Sequence, residues 1–99
     1  MNIRKETEEK ALVIYVEGRL DTTTAPKLDE EISASIEGLE NLVLDLGDLE
    51  YISSAGLRVI LAAEKKMAKQ GKLVVRKANE TIMEVFEITG FADILNIEK

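Results

Sequence analysis

Short apolar runs alternate along this chain with stretches in which apolar residues recur every three or four positions. The first run, Ala11 to Val16, is rich in β-branched residues and is closed by Gly18. It follows a polar segment, Ile3 to Glu8, across a short charged connection. We predict a hairpin whose first strand is a charged edge and whose second strand is buried.

Two further apolar runs predict central strands. Leu42 to Leu46 is nearly all apolar, which is typical of a strand covered on both faces, and Lys72 to Arg76 has an apolar centre. The segment Gly47 to Glu50 is expected to connect the first of these strands to the next element. Asp45 and Asp48 are expected to end that strand and to shape the turn.

Three stretches have the spacing of amphipathic helices. The first follows Pro26, the second spans roughly Ala55 to Lys69, and the third follows Asn79 as its N-cap and ends near Gly90. Glu64 falls at the margin of the second apolar face, and we expect its side chain to reach solvent. The apolar positions are Leu28, Ile32, Ile36 and Leu39, then Leu57, Ile60, Leu61, Met67 and Ala68, then Ile82, Val85 and Phe86.

The order of elements is therefore β-β-α-β-α-β-α with a short tail. Phe91 to Leu95 suggests one more turn of helix, and Ile97 a last edge strand. We predict one α/β domain over residues 1–99. Its mixed β-sheet has an N-terminal hairpin, parallel central strands and covering helices.

The composition is that of a folded, soluble domain. Of the 99 residues, 45% are hydrophobic and 32% are charged, and no segment approaches the ~20 apolar residues that span a bilayer. The start of the chain, Met1 to Glu6, carries charges where a secretory signal needs an apolar region. We expect a cytoplasmic protein that does not bind membranes.

The absence of cysteine and histidine removes most catalytic mechanisms. It excludes thiol nucleophiles, Ser-His-Asp relays and thiolate zinc sites. The net charge is −6, and the lysines are scattered rather than gathered in a basic stripe, which argues against nucleic-acid binding. We expect a protein that is not an enzyme, uses no cofactor, is monomeric and works by binding another protein.

The adjacent hydroxyls of Ser53 and Ser54 lie where a predicted strand leads into a helix. At this edge of an α/β sheet, ligands and partners are commonly bound, because the N–H groups of the first helical turn point outward. One of the two serines can simply cap the helix. An exposed serine at this place can also be modified.

The chain resembles the STAS family of anti-sigma factor antagonists. The resemblance lies in the order of elements, in Gly18-Arg19-Leu20-Asp21 before the first helix, and in Leu44-Asp45-Leu46 leading to Ser53-Ser54-Ala55-Gly56-Leu57. In that family the first serine of an Asp-Ser-Ser/Thr-Gly-Leu turn is phosphorylated. Aligned by its Gly-Leu, that serine corresponds to Ser54. Ser53 replaces the usual aspartate, which makes it a competing acceptor, and Ala55 replaces the second hydroxyl.

The resemblance implies a switch in transcription regulation. The unphosphorylated domain binds an anti-sigma factor that is also a serine kinase and thereby releases a sigma factor, and a PP2C-type serine phosphatase resets the phosphorylated form. The kinase must supply ATP, Mg²⁺ and the base. The partner-binding residues implied are Asp21, Thr22, Thr23, Ser53, Ser54, Gly56, Leu57 and Arg58.

Other interpretations stay open at this point. Asp21 and Thr22 to Thr24 can be only a capping turn, while in the proposed fold the loop Gly18 to Thr24 is expected to lie beside the Ser54 turn. Arg58 can hold a phosphate or simply face solvent. The chain can also be an accessory subunit of a transport or signalling assembly in which Ser54 is never modified. A small-ligand or nucleotide site ranks last because no glycine-rich phosphate loop is present. Asp45 and Asp48 lack a third ligand for a metal.

Overall fold

The computed structural model describes residues 1 to 98, and within them the elements follow the predicted order. The strands are β1 (Asn2–Glu8), β2 (Ala11–Leu20), β3 (Asn41–Ile52), β4 (Lys72–Arg76) and β5 (Asn96–Glu98). The helices are α1 (Ala25–Ser35), α2 (Ser54–Met67) and α3 (Glu80–Thr89), and a 3-10 turn covers Phe91–Asp93. The predicted short turn and last edge strand are therefore confirmed.

The described strands form one mixed sheet in the order β1-β2-β3-β4-β5. β1 is antiparallel to β2, and the other neighbouring pairs are parallel. The prediction of an N-terminal hairpin with parallel central strands is confirmed. Because β2, β3 and β4 run in the same direction, their C-terminal ends meet at one edge of the sheet, where α1 and α2 begin.

One face of the sheet is buried beneath the helices, and the other is partly exposed. The alternate leucines from Leu42 to Leu46 are buried in one core with apolar residues of all three helices. Val43 points to the opposite face and is only partly buried. The prediction that this strand is covered on both faces is wrong. Val43 has Val13 and Val74 as its neighbours in the sheet, and these apolar neighbours explain why the run shows no polar alternation.

β2 and β3 both run further than the apolar pattern indicated. β2 continues past Gly18, which has a φ of 99°, and β3 continues through the predicted connection Gly47 to Glu50 as far as Ile52. The two strands stay paired over this extension with irregularities in the register. The prediction that Asp45 and Asp48 end the strand is therefore wrong, because pairing with β2 carries β3 past both residues.

The buried apolar positions predicted for α1 continue beyond the last residue of the helix. Pro26 lies in the first turn as predicted, and the helix ends at Ser35. Ile36 and Leu39 are buried although they follow the last helical residue. Gly38 has a φ of 81°, a left-handed conformation that lets the chain turn back towards β3.

The exposed margin of α2 differs from expectation at Glu64. This residue is partly buried, and its Oε2 is a buried atom without a hydrogen-bond partner among residues 1–98. Burial raises the pKa of the Glu64 carboxyl. The expectation that this side chain reaches solvent is therefore wrong for one of its two oxygens.

Both predicted ends of α3 are confirmed. The Asn79 side chain caps the helix by accepting a hydrogen bond of 2.8 Å from the N–H of Ile82. Gly90 ends the helix in a left-handed conformation with a φ of 82°. Within residues 1–98, none of the helices is long and apolar enough to cross a membrane.

Candidate functional site

The ends of β2 and β3 bring two predicted segments together. Leu20 is paired with Ile52, and the N–H of Ser53 donates a hydrogen bond of 2.9 Å to the Leu20 carbonyl. From these ends the chain turns into α1 on one side and into α2 on the other. The segment Gly18 to Thr24 therefore lies beside the turn that contains Ser54, although its first three residues belong to β2 and only Asp21 to Thr24 form a loop.

Gly56 lets the first turn of α2 approach the strand ends closely. A Cβ at this position would lie 2.6 Å from the Leu20 Cγ and 3.0 Å from the Ile52 Cγ1. Such contacts are too short for a real side chain, so only glycine fits without rearrangement. Leu57, the next residue, is 6% exposed. Gly56 and Leu57 thus shape the site from below its surface.

The two serines have different environments. Ser54 is the first residue of α2 and is exposed. Ser53 is the N-cap residue, but its side chain makes no capping hydrogen bond, and its Oγ is buried without a partner among residues 1–98. The possibility that a serine side chain caps α2 is therefore not realised in this structure. Of the two hydroxyls, that of Ser54 is the one open to a reagent from outside.

Asp21 holds the loop before α1 in a tight turn. Its Oδ1 accepts hydrogen bonds from the N–H groups of Thr23 at 3.0 Å and Thr24 at 3.2 Å. The Thr24 hydroxyl in turn donates to the Arg19 carbonyl at 2.7 Å. The hydrogen bonds that Asp21 accepts, above all that from the Thr24 backbone, hold the pKa of Asp21 below its usual range. The carboxylate is engaged within the loop, while Thr22 and Thr23 are exposed.

Arg19 and Tyr51 form a stacked pair that was not among the predicted partner-binding residues. The guanidinium carbon of Arg19 lies 4.3 Å from the centre of the Tyr51 ring, and its Nε lies 3.8 Å from Asp21 Oδ2. Tyr51 is 39% exposed. An aromatic residue just before the serine turn was a signal available in the sequence. Its pairing with Arg19 was not, because it depends on the extended register of β2 and β3.

The structure brings the predicted partner-binding residues to one place but at different depths. We call this region the edge surface and define it by Arg19, Asp21, Thr22, Thr23, Tyr51, Ser53, Ser54 and Arg58. Thr22, Thr23, Ser54 and Arg58 are exposed, whereas Asp21 and Ser53 are partly buried.

Asp45 belongs to a separate ion pair. Its Oδ2 accepts a hydrogen bond of 2.8 Å from Arg76 Nε, and its Oδ1 accepts one of 2.9 Å from the N–H of Gly47. Burial alone would raise the pKa of Asp45, but these hydrogen bonds and the charges of Arg76 and Lys77 outweigh it and hold the pKa below its usual range. The carboxylate is therefore bound to cationic side chains of the protein itself.

Comparison with known proteins gives concordant matches over the whole chain. The family model described as STAS domain matches residues 2–99. BtrV of Bordetella bronchiseptica, provisionally named an anti-sigma factor antagonist, is 37% identical over 99 residues, covering 98% of this chain and 85% of BtrV. The anti-sigma-B factor antagonist of Listeria monocytogenes is 36% identical over 104 residues, covering 99% of this chain and 90% of the relative.

The fold is similar to that of SpoIIAA, a Bacillus cell fate determinant. Its unphosphorylated form matches with a TM-score of 0.78 at 18% identity, covering 99% of this chain and 88% of SpoIIAA. Its phosphorylated form matches with a TM-score of 0.77 at 19% identity, covering 99% and 92%. The order of elements, the mixed sheet and the family match over residues 2–99 agree, and the chain belongs to the STAS domain family.

Proposed function

We propose that this chain is an anti-sigma factor antagonist whose binding is controlled by phosphorylation of Ser54. Relatives that carry this name match nearly its whole length. The observation that best supports the choice of Ser54 is its exposed position at the start of α2, beside the Asp21 turn, in contrast to the buried Oγ of Ser53. The unphosphorylated chain binds an anti-sigma factor in the cytoplasm and so releases a sigma factor for transcription.

Phosphorylation of Ser54 changes the edge surface without requiring a new fold. A phosphate adds about −1.5 to −2 charges, and it can accept hydrogen bonds from the N–H groups of the first turn of α2, which the Ser53 side chain leaves uncapped. At an interface shaped for a neutral hydroxyl, the same phosphate must be desolvated. Each ~1.4 kcal/mol of such a penalty weakens binding about tenfold.

The chemistry of the switch comes from the partners. Ser54 lies in a chain without histidine or cysteine, so the anti-sigma factor supplies ATP, Mg²⁺ and the base that accepts the hydroxyl proton. A PP2C-type serine phosphatase removes the phosphate. This chain thus contributes a binding surface and an acceptor hydroxyl, which fits a regulatory binding module better than an enzyme.

The test uses each anti-sigma factor kinase of the host, purified and incubated with this chain and Mg²⁺-ATP. We expect the intact mass to gain one phosphoryl group in the wild type and in Ser53→Ala, and none in Ser54→Ala. We also expect the phosphorylated chain to lose its affinity for the same anti-sigma factor.

Two results would contradict the proposal in different ways. A phosphoryl group that persists in Ser54→Ala and disappears in Ser53→Ala would move the site to Ser53. Neither binding nor phosphorylation with any of these kinases, each shown active on another substrate, would favour an accessory subunit of a larger assembly.

A further inference from the structure

We propose that the Arg19–Tyr51 pair is the binding centre of the edge surface and receives a carboxylate of the anti-sigma factor. This inference rests on the proposed function and adds to it the chemistry of the partner. The pair lies next to the serine turn, because Arg19 and Tyr51 are neighbours in the sheet one position before Leu20 and Ile52.

The Arg19 guanidinium keeps donors free for an outside acceptor. Its central carbon lies over the Tyr51 ring, 4.3 Å from the ring centre, in a cation–π contact that uses none of the N–H groups as hydrogen-bond donors to an oxygen. Its 3.8 Å separation from Asp21 Oδ2 is longer than a hydrogen bond. With 61% of the Arg19 side chain exposed, a carboxylate can approach the pair of N–H groups side by side.

Arg76 shows a guanidinium whose hydrogen bonds go to side chains of its own chain. Arg76 donates to Asp45 at 2.8 Å and to the Tyr15 hydroxyl at 3.3 Å, and its side chain is 27% exposed. The guanidinium of Arg76 therefore donates its hydrogen bonds to Asp45 and Tyr15 within the chain. Arg19 is fixed in place by stacking while its hydrogen-bonding capacity is retained, which is the arrangement expected of a residue that binds a partner.

Tyr51 supplies the apolar part of the contact. It is one of the exposed large hydrophobic residues within residues 1–98, and its ring is rigid and already ordered by Arg19. Tyrosine and arginine are enriched among residues that dominate the energy of protein interfaces. An apolar side chain of the partner covering Tyr51 would also exclude water from the neighbouring ion pair and strengthen it.

The charges of the edge surface favour an acidic partner group. The chain has a net charge of −6, yet Arg19 and Arg58 are exposed here. Asp21 Oδ1 is engaged within its own loop, and Oδ2 lies on the Nε side of Arg19, so the terminal nitrogens of Arg19 face no carboxylate of this surface at hydrogen-bond distance. A phosphate on Ser54 would place about two negative charges at the same edge. Repulsion between this phosphate and the partner's carboxylate would then explain why phosphorylation releases the complex.

The test measures the dissociation constant of the full chain with the host anti-sigma factor that binds the wild type. We expect Arg19→Ala and Tyr51→Ala each to weaken binding at least about tenfold, and Arg19→Glu to weaken it further. The matched control is Arg4→Ala, because Arg4 is stacked on Tyr15 at 4.2 Å in the same manner but away from the edge surface. Its affinity should stay within about twofold of the wild type.

Salt dependence separates the ion pair from a structural effect. We expect the wild-type affinity to fall with added salt and that of Arg19→Ala to fall less, since exposed ion pairs are screened. Equal affinities of Arg19→Ala, Tyr51→Ala and Arg4→Ala would overturn this inference. If the wild type still loses binding when Ser54 is phosphorylated, the proposed function stays intact. If no host anti-sigma factor binds the wild type, both this inference and the proposed function are contradicted.

Discussion

Gly56 lies so close to Leu20 that a β carbon at residue 56 would stand 2.6 Å from the Leu20 Cγ. This contact joins the start of α2 to the end of β2 and holds the serine turn beside the Asp21 loop. Because Leu20 is fully buried, it has little room to move away from an added methyl group.

We therefore predict that Gly56→Ala lowers the free energy of unfolding by about 1–3 kcal/mol, as overpacking usually does. At a helix position with no close neighbour, the same change would raise the free energy of unfolding by about 1 kcal/mol. The sign of the measured change therefore distinguishes the clash from helix propensity. Urea denaturation measures the effect.

In the double mutant Gly56→Ala/Leu20→Ala, the new methyl group occupies part of the space vacated by Leu20. The loss of stability should therefore be smaller than the sum of the losses in the two single mutants. Simple additivity would contradict the close contact.

The ion pair of Asp45 and Arg76 should make stability depend on acid pH. The pKa of Asp45 is lowered on folding, so its stabilising contribution is complete above the unfolded pKa of about 3.9 and is lost as pH falls through the folded pKa. We predict that Asp45→Ala costs about 2–3 kcal/mol at pH 7, a typical loss for a hydrogen bond between charged groups. Urea denaturation between pH 7 and pH 2.5 should show a smaller loss of stability with acid in the variant than in the wild type.

Asp48 provides the control for that measurement, because it lies on the same strand but is exposed. Asp48→Ala should change stability at pH 7 by no more than about 0.5 kcal/mol. If Asp45→Ala behaves like Asp48→Ala, the buried ion pair does not contribute as the structure indicates.

Ser53 and Asn79 occupy N-cap positions but should respond differently to mutation. The Asn79 side chain accepts a hydrogen bond from Ile82, whereas the Ser53 side chain makes no capping bond. We predict that Asn79→Ala costs about 1 kcal/mol and that Ser53→Ala is nearly neutral. Ser53→Asp, which restores the residue usual in the family, should stabilise by about 0.5–1 kcal/mol if its carboxylate turns to the free N–H groups of α2. Thermal unfolding of the variants tests all of these changes, and a clear loss in Ser53→Ala would show that its hydroxyl does cap the helix.

Glu64 should oppose folding at neutral pH. Its pKa is raised by burial, so its cost is fully present above the folded pKa and disappears as pH falls towards the unfolded value of about 4.3. We predict that Glu64→Met stabilises the chain by up to about 1 kcal/mol at pH 7 and gives less advantage at pH 4. The matched change Glu84→Met, at an exposed position of α3, is the control for introducing a methionine on a helix. A stability gain at Glu64 that is the same at both pH values would contradict the role of burial.

Local patterns in the sequence were sufficient to locate every helix and strand of the described chain. β-branched runs, three- and four-residue spacings, Asn79 before α3 and Gly90 after it depend on neighbours within a few positions, and such neighbours interact in any context. The same local signals marked the serine turn. Its match to a family motif pointed to Ser54 without any knowledge of burial.

Only the tertiary structure decided the lengths of β2 and β3, the exposed face of the sheet and the unequal environments of the two serines. Each of these depends on the register between distant segments, as in the pairs Arg19 with Tyr51 and Asp45 with Arg76. A strand's end is determined by the partner strand that still offers hydrogen bonds to it, and a side chain's burial by the helix packed above it. The periodic pattern shows which face of an element is apolar but not which distant segment pairs with it, so the stacked pair and the ion pair became visible only once the sheet was formed.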